Sequence, residues 1–548
     1  MVKVSTSKIK EFLNSTQNTI LSAAFVISIL YFISAFLGLL KSRVLVSYFG
    51  ASEDLSLFFL ADRIPTAIYS TLFLGSLSTV FIPLYLKIKK DSDEKAYKFA
   101  SNIFNLVLVF FILISLLIFV FSKEVLFLLS FGHLDLNSLD LASSLLNIML
   151  IGQVVLIISS FLTSTLNSYR NFIIPSLAPV VFNLVFMLLI PVFYPFYGIK
   201  SAAYAMVVAS FFHLFIQLPS FLKTGFVWEM IFNLKDRDLK TTFNLSFSSF
   251  LSTIISQITI VAETSLSLLI SSASVVYFKF ADQLRYFPVH LFGASIAIAA
   301  LPVLSQESEE NNYNFVNTVK TSLLQIIYFS IPVSVLLIIL KIPVIRLVYG
   351  AEKYTWEDTV ITAMALAVFS LSIFSQSCNL FLTKCFYALK NTKIPLVGSI
   401  ITFLITILFP IYFIHNGYQV WVVVLGFVLG TYANFIYFLI YLKKLVPEFH
   451  LSEIINPLAK IIFSGGIMAV FLYVPMQLLD SYVFNTTYVT DLIALTGIVS
   501  LGGFVIYFLI TYYFKVPELM LLFRILRKLK IKTQRLENLE NSLNQSIS

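Results

Sequence analysis

Charged residues are scarce in this chain of 548: Asp, Glu, Lys and Arg make up 12%, against 58% hydrophobic residues and a mean hydropathy of +0.91. Soluble domains carry about twice that share of charge, so the composition excludes a soluble globular protein. Cysteine is nearly absent too. Cys378 and Cys385 lie seven apart in one apolar run, on one helical face but too far apart to bridge, so no disulfide is expected. The five histidines occur singly, and His213 and His290 are read as helix-packing groups. With no His/Cys cluster at metal-ligand spacing and no glycine-rich phosphate loop after a strand, neither an enzyme nor an organic cofactor is expected.

Long apolar runs, by contrast, fill the chain. Fourteen can cross roughly 30 Å of hydrocarbon as helices: 19–48, 55–86, 97–122, 139–168, 173–194, 199–222, 243–271, 274–304, 314–341, 357–389, 393–414, 418–442, 453–479 and 488–514. The reading is an all-α polytopic membrane protein with about 14 transmembrane helices and no room in its connections for a soluble domain. Lys3, Lys8 and Lys10 precede a long first span without a small-residue cleavage site, so no removable signal peptide is read. Alternating spans from a cytoplasmic start puts Lys87, Lys89, Lys90, Lys95, Lys98, Arg170, Lys223, Lys235, Arg237, Lys240, Lys390, Lys393, Lys443 and Lys444 inside. That satisfies the positive-inside rule and places both termini in the cytoplasm. The net charge of +9 comes largely from these loops and from Arg524, Arg527, Lys528, Lys530, Lys532 and Arg535 on an apolar-striped tail. Such a tail is attracted to an anionic leaflet, and nucleic acid is not an expected partner.

The runs also repeat. Ala61-Asp62 through Pro83 and Ala281-Asp282 through Pro302 carry the same landmarks, and Asn171, Ile174-Pro175 and Gly198 recur as Asn391, Ile394-Pro395 and Gly417. Six spans separate the copies, which predicts two parallel six-helix repeats about an axis along the membrane normal, plus two extra C-terminal helices. A charge at bilayer depth costs at least about 2.5 kcal/mol, so ionisable residues inside spans are functional candidates. They concentrate in spans 1, 2, 7 and 8 as Lys41, Arg43, Asp62, Arg63, Glu263, Lys279, Asp282 and Arg285, an excess of cations that suits an anionic ligand in a central cavity. Ser34, Gly38 and Lys41 share one helical face, while Arg43 points roughly the other way. Lys279, Asp282 and Arg285 are three apart, so Asp282 can pair with both neighbours. The competing reading of the same set is an ion-paired scaffold. Pro65 and Pro288 interrupt spans 2 and 8 and are candidate hinges.

Certain strings carry a resemblance. Phe49-Gly50-Ala51, Phe58-Phe59-Leu60-Ala61-Asp62-Arg63-Ile64-Pro65, Gly75 and Phe81-Ile82-Pro83 resemble the opening of the MurJ/MviN family of lipid II flippases. Phe280-Ala281-Asp282-Gln283-Leu284-Arg285-Tyr286-Phe287-Pro288, with Leu291-Phe292-Gly293 and Leu301-Pro302-Val303-Leu304-Ser305, is similar to the family's most distinctive segment, and Phe386 to Lys393 adds a further match. The resemblance implies the fold of the multidrug/oligosaccharidyl-lipid/polysaccharide exporter superfamily, with two lobes in a V around a cationic cavity lined by spans 1, 2, 7 and 8. The chain then divides into a cytoplasmic segment 1–18, an N-terminal lobe 19–225, a cytoplasmic linker 226–242, a C-terminal lobe 243–445, helices 13 and 14 with a lipid-facing groove over 446–515, and a basic amphipathic tail 516–548. The implied activity is moving an undecaprenyl-pyrophosphate-linked peptidoglycan precursor from the inner to the outer leaflet of a bacterial cytoplasmic membrane by alternating access. Implied partners are that lipid-linked substrate, membrane lipids and cell-wall synthesis proteins, with coupling to sodium, protons or membrane potential.

The chain also departs from the family pattern. Family arginines fall on Ala35, Lys41, Tyr69 and Gln283, and a family acid falls on Tyr286, whereas Arg63 matches a basic family position. Lysine is a point charge without the planar fork of arginine, so Lys41 is not an equivalent replacement. Glu263 falls near a span 7 acid that in some members binds sodium with polar residues of spans 11 and 12. That makes Glu263, Thr402 and Thr406 a candidate cation site, the alternatives for Glu263 being a packing hydrogen bond or a pair with a cavity cation. Two other functions stay open: a flippase for another lipid-linked oligosaccharide, and a non-transporting scaffold of the cell-wall machinery.

Overall fold

The structure is a computed structural model that describes residues 20–72, 81–235, 237–310, 312–414 and 416–519. The expected segment 1–18 and residues 520–548 of the expected tail lie outside the described residues. Among those described, all regular structure is helical. The first repeat region comprises α1 (Ile20–Phe49), α2 (Glu53–Leu72), α3 (Ile82–Asp91), α4 (Asp93–Val120), α5 (Ser122–Leu129), α6 (Leu136–Ser168), α7 (Ile173–Tyr197), α8 (Lys200–Phe215) and α9 (Leu218–Leu222). After it come α10 (Arg237–Leu268), α11 (Ser274–Pro288), a π-helical turn (Val289–Ala294), α12 (Ser295–Glu310), α13 (Asn312–Ile339), α14 (Lys341–Tyr349), α15 (Trp356–Leu371), α16 (Ile373–Ala388), α17 (Lys393–Ile414) and α18 (Trp421–Leu445). The last two are α19 (Ser452–Tyr482) and α20 (Val489–Tyr513).

Twelve helical stretches among the described residues are long and apolar enough to cross a membrane, thirteen when α15 and α16, bent by 44°, count as one span. The remaining expected span, 55–86, contains residues 73–80, outside the described residues. The short helices α5 and α14 were not expected, and α10 begins at Arg237, inside the stretch read as linker.

The sequence repeat corresponds to a repeated backbone device. Arg170 and Lys390, not glycines, adopt left-handed φ values of 59° and 56° at the ends of α6 and α16. Behind them Asn171 N donates to Leu166 O at 3.0 Å and Asn391 N to Phe386 O at 2.9 Å, a cap that satisfies orphan carbonyls of the last turn. The Ile-Pro pairs then open α7 and α17, where proline's missing N–H costs nothing. A side chain in the left-handed region costs about 1–2 kcal/mol, so both copies retain the same strained corner.

Two compact units group the chain. The first holds α1 to α10, α11 to Phe287, α15 to Phe369, α17, and α18 to Asn434. In it α1 packs on α7, α2 on α6 and α10, and α10 on α17. Phe81, Tyr85, Phe99 and Phe161 form an aromatic cluster in which Phe81 stacks on Tyr85 at 5.6 Å and on Phe99 at 6.3 Å. The α17–α18 crossing leaves no room for side chains: a Cβ on Gly430 would stand 2.9 Å from the carbonyl oxygen of Thr402. The second unit holds the π-turn, α12, α13, most of α14, α16, the end of α18, α19 and α20. Its π-turn presses on α16 so closely that a Cβ on Gly293 would stand 2.6 Å from Ser377 Cα. Tyr507 Oη donates to Tyr328 O at 2.8 Å and fastens α20 to α13.

Candidate functional site

A cavity of about 560 Å³ lies within the first unit. Helical periodicity explains which residues reach it. On α2 the residues Phe58, Phe59, Asp62, Arg63, Thr66, Tyr69 and Ser70 recur every three or four positions and share one face. On α11 Lys279, Asp282, Gln283 and Tyr286 do the same, and α1 contributes Lys41, Ser42 and Leu45. The four helices that the charge pattern singled out, α1, α2, α10 and α11, thus all contribute to one wall. Gln153 of α6 and Phe182 and Phe186 of α7 add to it, and these carry no charge by which the sequence could have marked them.

Three cations, Lys41, Arg63 and Lys279, face the space with two carboxylates, Asp62 and Asp282. None of the three cations makes an ion pair within 4.0 Å among the described residues, where the site's contact pair is Arg285 with Asp282. Arg63 is 8% exposed, yet its Nε and Nη2 have no hydrogen-bond partner among the described residues. The Lys41 ammonium stands 5.0 Å from the Phe186 ring and 5.7 Å from that of Phe182, where the ring quadrupoles favour it. Lys279 lies within electrostatic reach of Arg63, Asp62, Asp282 and Lys41. A cation without a contact ion pair in a largely apolar wall is poorly solvated, and an entering anion would relieve that cost.

Of the other expected residues, Gln283 and Tyr69 also line this wall, whereas Ser34, Gly38 and Arg285 do not. Ser34 accepts from Asn183 Nδ2 through its carbonyl oxygen at 3.0 Å and its hydroxyl at 3.2 Å, which joins α1 to α7. Gly38 O accepts from Gln283 Nε2 at 3.1 Å, and Ser42 Oγ donates to Gln283 Oε1 at 2.7 Å, so the uncharged Gln283 ties α11 to α1. Arg285 is 5% exposed, ion-paired to Asp282 and held between the rings of Phe369 and Phe427 at 4.5 and 4.4 Å. Tyr69 reaches the cavity but shares a 2.6 Å hydrogen bond with Ser160 Oγ. Pro65 is enclosed in α2, and Pro288 ends α11 where the π-turn begins.

Glu263 on α10 is 4% exposed, with no hydrogen-bond partner for Oε1 among the described residues, and lies within electrostatic reach of Asp282, Arg285 and Arg63. On α17 the Thr406 hydroxyl is also buried without a partner among the described residues, whereas Thr402 Oγ1 donates to Gly398 O at 3.0 Å. Buried, unsatisfied oxygens of this kind fit a hard monovalent cation. No group of three or more His, Cys, Asp or Glu suited to a metal occurs among the described residues.

The chain matches the family described as "Lipid II flippase MurJ" over residues 45–514. It is 27% identical over 478 residues to the probable lipid II flippase MurJ of Buchnera aphidicola subsp. Acyrthosiphon pisum, covering 84% of this chain and 91% of that protein. To the lipid II flippase MurJ of Thermosipho africanus it is 26% identical over 396 residues, covering 72% and 80%. Among solved structures, one described as "Lipid II flippase MurJ, inward closed conformation" aligns with a TM-score of 0.73 at 24% identity, over 89% of this chain and 98% of that one. An inward-facing multidrug transporter of the MATE family aligns with a TM-score of 0.62 at 17% identity, over 78% and 98%.

Proposed function

Because the chain belongs to the lipid II flippase MurJ family, matched over residues 45–514, we propose that it carries lipid II from the inner to the outer leaflet of a bacterial cytoplasmic membrane. The observation that supports this reading most is the group of cavity cations, Lys41, Arg63 and Lys279, that lack contact ion pairs among the described residues. A pyrophosphate entering the cavity meets them as a dianion. Arg63 offers two unused donors, which form charge-assisted hydrogen bonds with phosphate oxygens, and Lys41 adds a point charge beside an aromatic wall suited to sugar faces. The polyprenyl tail stays in lipid, since burying its long apolar surface in a charged cavity gains nothing.

Movement follows alternating access, with Pro65 and Pro288 as the hinges. The change from α- to π-helix directly after Pro288 supports the second of these. Sodium is the coupling ion of this reading: the buried oxygens of Glu263 and Thr406, with Thr402 one turn before Thr406, would hold it, and when bound it would neutralise the carboxylate. The protein's own contribution there is a buried acid close to the cavity charges, so its charge state bears on the balance between conformations. Both termini are cytoplasmic in this reading, and proteins of cell-wall synthesis are its partners.

Expression in a bacterium depleted of its own lipid II flippase tests the reading. Growth should be restored together with appearance of lipid II at the outer leaflet, measured by its accessibility to a periplasmic lipid II-cleaving enzyme. A protein that inserts at normal levels but restores neither would overturn the proposal.

A further inference from the structure

The segment between α9 and α10 takes no part in the cavity, yet it is tied down residue by residue. Gly225, at φ +71°, turns the chain after α9, and Phe226 enters the aromatic cluster with its ring 5.1 Å from Tyr97 and 5.7 Å from Phe161. Beyond Phe226 the backbone runs beside α4 and is bonded by side chains in place of a neighbouring strand. Ser101 Oγ accepts from Glu229 N at 3.1 Å. Asn105 Nδ2 donates to Glu229 O at 2.9 Å and Ile231 O at 3.1 Å, and its Oδ1 accepts from Trp228 Nε1 at 2.8 Å. Asn102 pairs with Asn233 in both directions, accepting from its N–H at 2.7 Å and donating to its carbonyl at 3.0 Å. Ser101, Asn102 and Asn105, which lie where the charged start of α4 passes into its apolar run, are thereby bonded, and so is the inner edge of the segment.

The outer edge has the opposite character. Trp228, Met230, Phe232 and Leu234, every second residue, are 52%, 75%, 51% and 70% exposed. Large exposed apolar rows of this kind mark a contact surface. Its neighbours identify the contact: α4 continues from the bonded asparagines into exposed Val109, Phe110 and Leu113, and α9 exposes Leu218 and Leu222. Lys223 and Lys235 flank the row.

We propose that residues 226–234 are a membrane strap whose apolar row is embedded at the headgroup–acyl boundary of the lipid, with the flanking lysines on lipid phosphates. Continuity with the apolar faces of α4 and α9 favours lipid over a protein partner. Tryptophan suits that boundary, and basic residues there are held by anionic lipid. Lipid cannot satisfy backbone polar groups, which is the task of Ser101, Asn102 and Asn105.

The chain has three tryptophans, so the full-length protein with Trp356→Phe and Trp421→Phe leaves Trp228 as the only indole. It is reconstituted into phosphatidylcholine/phosphatidylglycerol vesicles carrying bromine at graded acyl depths. Bromines near the carbonyl end should lower the emission roughly twofold, and more than deep ones, as insertion by about 5–10 Å requires. Aqueous acrylamide should quench weakly. Adding Asn102→Ala and Asn105→Ala should remove most of the bromolipid quenching while the elution profile stays unchanged. Quenching by acrylamide without quenching by bromolipid puts the row in water, and quenching by neither puts it under protein. Either result overturns the proposal, and unchanged quenching in a folded asparagine variant overturns the polar ladder as its support.

Discussion

In the proposed phosphate site, Lys41 would supply a point charge and Arg63 a fork of donors. Among the described residues the Arg63 fork has Nε and Nη2 unpartnered in a buried position, so hydrogen bonds from it to a phosphate would be charge-assisted and poorly screened. Bonds to charged groups contribute about 1.5–3 kcal/mol, so Arg63→Gln should slow transport of lipid II roughly tenfold to a hundredfold without loss of inserted protein, measured as initial rate in vesicles. Lys41→Glu should abolish transport, because it turns attraction into repulsion. The charged part of this site was legible because ionised groups are conspicuous in apolar spans. Phe182, Phe186 and Gln153 were not, since aromatic and amide residues line cavities and pack helices equally well. Gln283 shows the limit from the other side: a position matched to a family arginine now joins α11 to α1, a pairing that only the fold reveals.

At the scale of elements, the duplication was legible because matching landmarks recurred at nearly constant offsets, and the left-handed corners at Arg170 and Lys390 give it physical content. The short helices α5 and α14 repeat too, but each continues the apolarity of the span before it, which hides the joint. The 44° bend between α15 and α16 was hidden likewise: hydropathy reports contact with lipid or core, not helix direction. The π-turn after Pro288 is where helix geometry and packing meet. A methyl at Gly293 would stand 2.6 Å from Ser377 Cα, whereas one at Gly497 of α20 meets nothing within 4 Å. Gly293→Ala should therefore destabilise the protein by about 1–3 kcal/mol through overpacking. Gly497→Ala should be neutral or stabilising by up to about 1 kcal/mol, since alanine favours helix. Thermal unfolding of the two variants in one detergent measures the contrast, and equal melting temperatures would refute the close approach.

For the whole molecule, transport requires that some force bias one conformation over another. A charge crossing the full membrane potential is worth about 2.3 kcal/mol per 100 mV, enough to shift a balanced pair of states, and Glu263 is a buried carboxylate within reach of the cavity charges. Glu263→Gln should weaken the response of transport to sodium, pH or potential, each varied separately, more than it weakens lipid binding. An unchanged response to all three would leave Glu263 a structural residue. The central claim, that an unpaired cationic cavity carries lipid II, is tested most directly by purified protein in vesicles loaded with fluorescent lipid II. Wild-type protein should expose inner-leaflet lipid II to an external quencher far faster than protein-free vesicles, and Arg63→Glu should return the rate to that background. Wild-type vesicles no faster than the protein-free control, or Arg63→Glu as fast as wild type, would contradict it.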